Sequence, residues 1–270
     1  MEIITLVENY ATKEGLKGEH GLSFLIKKDN YKILFDTGQS GVLVENAKKL
    51  GVKLEDVDYL ILSHGHYDHT GGLESFLKIN SKAKVISHQK SLEKRYSNST
   101  GKIREIGFRL EKGYKSYKNE FVFIEEDYKI NEDIKIVANV EKITDFEMNE
   151  KKLFVKKNNE YVQDEFLDEI NLVITEKNKD NIITGCSHRG IINIIKTIQK
   201  RDEKEINLII GGFHLKGKSE ERVKKTINEL KKIKFERIET NHCTGLDGYM
   251  ELKKEFGDKV NYNYVGMTIK

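Results

Sequence analysis

Two kinds of hydrophobic pattern alternate along the chain, and together they predict a mixed fold of strands and helices. Short runs rich in aliphatic residues, such as Ile3–Val7 and Tyr59–Leu62, have the length and the β-branched content of strands. Elsewhere apolar residues recur every three or four positions, as expected of helices with one buried face. Helices are predicted on this basis near residues 43–50, 72–79, 191–198 and 223–230, the last with Ser219 as its N-cap.

The apolar runs predict strands along the whole chain. These are Ile3–Val7, Gly21–Lys27, Tyr31–Phe35, Asp58–Ser63, Lys84–Ser87, Phe121–Ile124, Ile134–Ala138, Leu153–Val155, Asn171–Glu176, Asn181–Thr184, Ile206–Ile210, Arg237–Thr240 and Asn261–Val265. Some strands are separated by short turns and others by helices. This order favours two mixed sheets packed together with helices outside, an α/β (α+β) fold with four αββα layers.

Residues 89–120 interrupt this pattern, because they are rich in Lys, Ser, Tyr and Gly and show little periodicity. Strand signals resume directly afterwards, which argues against a linker between domains. We therefore expect a single domain over residues 1–270, with an excursion or lid at about 89–120.

One polar stretch follows a predicted strand and carries an unusual density of metal-ligand side chains. His64, His66, Asp68 and His69 fall within six consecutive positions, although the chain contains only eight histidines. Because side chains alternate in extended backbone, His64 and His66 point to the same side. Imidazole and carboxylate together suit zinc, iron or manganese, so the stretch predicts a metal site.

Other ligand-type residues also come just after predicted strands. If these strands run in the same direction, their ends form one rim on which loop-borne side chains converge. The residues are Asp36 after 31–35, Cys186 and His188 after 181–184, His214 after 206–210, and His242 after 237–240.

Composition narrows the functional classes. The net charge is +3, from 47 basic and 44 acidic residues, which gives no support for a nucleic-acid groove. Two separated cysteines do not make a secreted disulfide framework. No apolar run approaches the roughly 20 residues of a membrane span, and the first residues resemble a strand and not a signal peptide. We therefore expect a cytoplasmic protein that does not associate with membranes.

The motifs together resemble a known family. His-Gly-His-Tyr-Asp-His at 64–69, with Asp36-Thr37-Gly38 earlier, resembles the signature of the metallo-β-lactamase superfamily, an αββα sandwich with one or two metals. Further segments are similar to the branch named for 7,8-dihydropterin-6-methyl-4-(β-D-ribofuranosyl)aminobenzene 5'-phosphate synthase. They are 19–23 around His20, 184–190 around Cys186 and His188, 211–215 around His214, and 242–245.

The resemblance implies a set of metal ligands. By its pattern, His64 and His66 bind a first metal ion, and Asp68, His69 and His242 bind a second. The chain departs from the family at two points: it has no histidine between His88 and Cys186, and Cys186 stands where a bridging aspartate is usual. We therefore expect His188 to replace a missing ligand, with Cys186 beside it as a bridge or supporting residue. One or two divalent ions are expected, with zinc preferred over iron or manganese.

Asp68 and His188 are the predicted catalytic residues. Asp36 is expected to hold a ligand histidine, and His214 and His20 to contact substrate or orient a loop. His88 is interpreted as a polar strand end, with a ligand role as the alternative. Cys243 is expected to pack beside His242 without chemistry.

The resemblance implies a metal-dependent hydrolase or transferase that acts on a small phosphorylated or heterocyclic molecule. In the synthase branch, the reaction displaces diphosphate from a reduced pterin. A metal-dependent phosphoesterase or nuclease is one alternative, and a non-catalytic binding or sensing protein with a degraded site is another. A homo-oligomer is compatible with the sequence.

Overall fold

A computed structural model describes residues 1–108, 110–147 and 150–270. The chain forms two compact units. The first unit comprises Met1–Ile124, Lys151–Asp164 and Tyr264–Lys270, and the second comprises Glu125–Glu150 and Glu165–Asn263. The expectation of one domain over the whole chain stays a prediction.

The strands are bounded as follows. They are β1 (Glu2–Val7), β2 (Ser23–Lys28), β3 (Tyr31–Phe35), β4 (Tyr59–Leu62), β5 (Lys84–His88), β6 (Arg95–Ser97), β7 (Arg104–Glu105), β8 (Phe121–Ile124), β9 (Tyr128–Lys129), β10 (Ile134–Val137), β11 (Leu153–Lys157), β12 (Glu160–Gln163), β13 (Asn171–Glu176), β14 (Lys179–Ile183), β15 (Glu205–Gly211), β16 (Phe235–Thr240), β17 (Val260–Tyr262) and β18 (Thr268–Ile269).

The α-helices are α1 (Val42–Lys49), α2 (Tyr67–Thr70), α3 (Leu73–Leu77), α4 (Ile191–Arg201), α5 (Glu220–Leu230) and α6 (Gly245–Phe256). Short 3₁₀ helices occupy Leu54–Asp56, Gln89–Leu92, Tyr114–Ser116, His242–Thr244 and Gly257–Lys259. In the described ranges no helix combines the length and the apolar character that a membrane crossing requires.

The first unit is built on a mixed sheet with the order β18-β1-β2-β3-β4-β5-β8. Its β1, β2 and β3 pair antiparallel, whereas β3, β4, β5 and β8 pair parallel. Buried residues of α1 and α3, including Leu43 and Phe76, pack on strand residues such as Leu34 and Leu60. The parallel β3, β4 and β5 therefore end at one edge, which is where the histidine stretch begins.

A smaller antiparallel sheet, β12-β11-β6-β7, also belongs to the first unit and contains part of the expected excursion at 89–120. It contains the buried Arg95, whose Nε donates to Asp164 at 3.0 Å. The remaining guanidinium nitrogens donate to the carbonyls of Lys90, Ser91 and Glu93 at 3.1–3.2 Å. A charge can be buried here because its donors are matched. The proposed role of residues 89–120 as a lid stays a prediction.

The second unit contains a mixed sheet with the order β17-β16-β15-β14-β13-β10-β9. Its β14, β15, β16 and β17 are parallel. Helix α4 presents Ile191, Ile194, Ile195 and Ile198 to a core shared with α5 and α6. In this unit too, the carboxyl ends of parallel strands lie at one edge of a sheet.

The predicted strands are all present, with ends that differ by a few residues. Helix α3 is shorter than predicted, because Asn80 donates its side-chain amide to the carbonyls of Leu54 and Val57 and thereby fixes the chain after Leu77. Ser219 caps α5 as predicted, since its Oγ accepts from the N–H of Arg222. The strands that the pattern missed (β6, β7, β9, β12 and β18) are short and carry little apolar periodicity.

Replacing Ile195 by alanine tests the core of the second unit. Because Ile195 is fully buried, we expect Ile195→Ala to lower the free energy of unfolding by about 2–5 kcal/mol. Lys200→Ala, on the exposed side of the same helix, should change it by about 0.5 kcal/mol or less. Urea denaturation measures both, and equal losses would contradict the assigned core.

Candidate metal centre

The first unit gathers the histidine stretch at the end of β4. His66 is the extended residue before α2, and His64 Nε2 lies 3.0 Å from His66 Nδ1. The His69 ring lies 4.3 Å from the His64 ring, measured between centroids. Gly65 allows this crowding, because a Cβ there would lie 2.1 Å from the carbonyl oxygen of Ser91. These imidazoles therefore share one small buried volume.

Asp36 connects the strand ends around this cluster. It is buried, has a positive φ of 59°, and accepts from the backbone N–H and the hydroxyl of Ser63, both at 2.7 Å. His69 Nδ1 donates to Asp36 Oδ2 at 2.6 Å, since a carboxylate can only accept. Nε2 of His69 is then the nitrogen with a lone pair. This is the contact expected of a carboxylate that holds a ligand histidine.

The electrostatics of the cluster favour the neutral imidazole that binds metal. Burial, followed by the nearby His69 and His66, holds the pKa of His64 well below its usual range. Asp68 adds a carboxylate whose Oδ2 lies 3.2 Å from His20 Nε2 and 3.7 Å from His69 Nε2. His20 is half exposed, whereas Asp68 is mostly buried.

The second unit gathers a different set at the ends of β14, β15 and β16. Cys186, His214 and Cys243 each offer a donor atom, and these atoms lie within 4.8 Å of one another. The two thiols are buried and form no disulfide. Gly212 makes the approach possible, because a Cβ there would lie 2.4 Å from the Cys243 sulfur. The prediction that Cys243 packs beside His242 without chemistry did not anticipate this set.

Glu150 stands behind His214. Its Oε1 lies 3.3 Å from His214 Nε2, and it also pairs with Lys218. Burial opposes ionisation of the carboxylate, but His214 and Lys218 outweigh it and lower the pKa of Glu150 to about 2. Burial likewise opposes the charged imidazole, yet Cys243 and Glu150 raise the pKa of His214 to about 9. In turn Cys186 and His214 outweigh burial and hold the pKa of the Cys243 thiol well below its usual range.

His188 is fixed by residues that the sequence reasoning missed. Phe166 stacks on its ring with 4.2 Å between centroids and a 6° angle, and the His214 ring lies 4.4 Å away. The buried Glu169 accepts from the backbone N–H groups of His188 and Arg189 at 2.6 and 2.9 Å. Burial raises the pKa of Glu169 to about 7. Neither Phe166 nor Glu169 lies in a motif, so no sequence signal pointed to them.

The remaining candidates have simpler surroundings. His88 Nδ1 accepts from the backbone N–H of Lys90 at 3.1 Å and so caps the 3₁₀ helix 89–92, as a polar strand end would. His242 is buried at the start of the 3₁₀ helix after β16. The structure thus brings His20, Asp36, His64, His66, Asp68 and His69 together in the first unit, and Cys186, His188, His214 and Cys243 in the second.

Comparison with known proteins identifies the family. Residues 16–156 match the metallo-β-lactamase superfamily. The chain belongs to this superfamily. The predicted αββα metallo-β-lactamase fold is thereby confirmed, as it is by similarity to the crystal structure of Tm1679, titled a metal-dependent hydrolase of the β-lactamase superfamily. That structure is 33% identical with a TM-score of 0.87, over 100% of this chain and 98% of the other.

Two relatives from Methanocaldococcus jannaschii match over nearly their whole lengths. The uncharacterized protein MJ0448 is 36% identical over 98% of both chains. The 7,8-dihydropterin-6-methyl-4-(β-D-ribofuranosyl)-aminobenzene-5'-phosphate synthase is 32% identical over 100% of this chain and 96% of the relative. The predicted similarity to the synthase branch is therefore confirmed at the level of sequence.

The donors present fit a divalent transition metal. The first unit offers buried imidazoles beside a carboxylate, with one imidazole oriented by Asp36. Such nitrogen and oxygen ligands suit zinc, and also iron or manganese. The first unit therefore contains a histidine cluster whose donors are suited to binding a metal. The identity of the metal stays a prediction.

Replacing Asp36 tests the orientation of His69. Asp36→Asn keeps the shape of the side chain but removes the negative charge beside His69. We therefore expect the affinity for metal to fall by roughly 10–100-fold. Competition with a chromophoric chelator measures this affinity. Asp180→Asn is a matched control, because Asp180 near the start of β14 is also buried but accepts from the hydroxyl of Thr175 in β13. Equal affinities in both variants would show that Asp36 does not support a ligand.

Proposed function

We propose that the protein is a metal-dependent enzyme that acts on a small phosphorylated heterocycle, by a reaction of the dihydropterin synthase type. The observation that carries the proposal is the buried cluster of His64, His66, Asp68 and His69 in a chain similar over its full length to such a synthase. The similarity to Tm1679 supports metal dependence independently of the substrate.

The proposed ligand set follows the family pattern. His64, His66 and His188 hold a first ion, and Asp68, His69 and His242 hold a second. The burial of these residues and the depressed pKa of His64 support the proposal, because metal binds the neutral ring. Zinc is the preferred metal, with iron and manganese as alternatives.

When bound, a divalent ion polarises phosphoryl oxygens, stabilises a leaving diphosphate and lowers the pKa of bound water towards ~7. The residues of the chain orient the reactants and move protons. Asp68, 3.2 Å from His20 Nε2, accepts a proton at Oδ2 and shares it with that imidazole. Asp36 keeps the His69 ring fixed, and Phe166 and Glu169 do the same for His188.

Hydrolysis of a phosphoester is the second candidate. Tm1679 carries the description of a hydrolase and has an identity to this chain similar to that of the synthase. The two reactions differ in their acceptor: the synthase joins an aminobenzene compound to a reduced pterin, whereas a phosphoesterase uses water. We propose no nucleic-acid, membrane or protein partner, and self-association stays an open prediction.

Metal removal and ligand replacement test the enzyme proposal. Protein stripped by a chelator should lose activity and regain it with added zinc or manganese. His66→Ala should reduce kcat/KM by about 100-fold or more, since a metal contributes several kcal/mol to the transition state. Asp180→Asn should retain activity. Full activity after complete removal of metal would contradict the proposal.

Product analysis separates the two reactions. The enzyme is incubated with a reduced pterin diphosphate, with and without a ribofuranosylaminobenzene phosphate, and the products are separated by chromatography. A synthase releases diphosphate only when the aminobenzene acceptor is present, and it forms the joined product. Release that is independent of the acceptor, or cleavage of p-nitrophenyl phosphates at a comparable rate, would instead identify a hydrolase.

A further inference from the structure

The second unit contains three donor residues that are not among the ligands of the proposed catalytic centre. Cys186 follows β14, His214 follows β15 and Cys243 follows β16, so three parallel strands each deliver one soft or borderline donor. Their donor atoms lie within 4.8 Å of one another. A tetrahedral zinc site with bonds of about 2.0–2.3 Å places its ligand atoms at comparable separations.

We propose that Cys186, His214 and Cys243, all in the second unit, form a binding site for a thiophilic divalent ion, Zn²⁺ in the cell. Two thiolates and one imidazole supply three ligands, and a water or an added ligand completes the tetrahedron. The binding step is balanced by proton release: the Cys186 thiol gives up one proton to solvent, and the Cys243–His214 pair gives up the one proton that it shares.

The surroundings of His214 support this assignment. In metal sites, the ring nitrogen that does not bind the ion usually donates to a carboxylate. Glu150 occupies this position, with Oε1 3.3 Å from His214 Nε2, which leaves Nδ1 as the nitrogen for the ion. Lys218 holds the same carboxylate from its other side.

The backbone is also shaped for the approach of the thiols. Gly212 lies against the Cys243 sulfur, and a Cβ at this position would lie 2.4 Å from it. His214 has a positive φ of 50°, which is uncommon for a residue other than glycine. The Cys243 thiol donates to the carbonyl oxygen of Cys186 at 3.3 Å, which holds Cys243 against the turn that carries Cys186. Ordinary packing of small apolar cysteines requires neither a carboxylate-backed histidine nor a third donor in the same place.

Cobalt titration tests the proposal with a readout other than activity. The full chain is stripped of metal, kept reduced and titrated with Co²⁺ under anaerobic conditions. We expect a thiolate-to-cobalt charge-transfer absorption and intense visible bands of a tetrahedral ion. Cys243→Ser should cut the charge-transfer absorption by at least half, because one of the two thiolates is gone, and should weaken the binding of Co²⁺ at this site.

The double variant His64→Ala/His66→Ala separates this site from the proposed catalytic centre. It should lose activity and metal from the histidine cluster but keep the thiolate absorption. Loss of that absorption in the double variant would overturn the proposal, because Cys186 would then be a ligand of the histidine centre. An unchanged absorption in Cys243→Ser, or none in the wild-type protein, would overturn it as well.

The variant Glu150→Gln tests whether the carboxylate of Glu150 orients His214. We expect Co²⁺ to bind the thiolate site about 10–100-fold more weakly in this variant. Lys218→Ala is the matched control, since it removes the other partner of Glu150 but leaves the contact with His214. Circular dichroism and thermal unfolding establish that each variant is folded. An equal loss of Co²⁺ affinity in both variants would show that Glu150 does not orient His214 as a metal ligand.

Discussion

The buried carboxylate of Asp36 is the constraint on which the histidine cluster depends. It ties the end of β3 to the end of β4 through Ser63, and to α2 through His69. An unpaired charge in this position would be costly, so these hydrogen bonds determine where each element can lie. The same contacts that satisfy the carboxylate select the tautomer of His69. The hydrogen bonds that position β3, β4 and α2 therefore also orient His69 as a metal ligand.

Both units place metal-ligand side chains at the carboxyl ends of parallel strands, but the donor groups differ. Parallel strands end at one edge, and the loops that follow carry the polar residues. In the first unit the edge carries imidazole and carboxylate groups, whereas in the second it also carries two thiols. Because thiolates prefer softer ions than carboxylates do, the two sets can differ in the metal that each retains.

The sequence predicted the fold and the histidine cluster because both depend on local pattern. Strand-length apolar runs locate the sheets, and the spacing at 64–69 is informative by itself. The contacts of Glu150, Phe166 and Glu169 were not predictable, since each is a lone residue whose partner lies 19–64 positions away. Three of the four strands in the small sheet with Arg95 were missed for a related reason: they are short, and a buried arginine does not fit the hydrophobic pattern of a strand.

Positive φ angles recur at the strand-end turns, at Asp36, Ser187, His214 and His242. Each such angle costs about 1 kcal/mol or more in a residue other than glycine. Glycine would relieve that cost but would remove the side chain that the turn presents. Selection for stability alone would therefore favour glycine at Ser187, His214 and His242. At Asp36 it would not, because the hydrogen bonds lost from Ser63 and His69 outweigh the relief of strain.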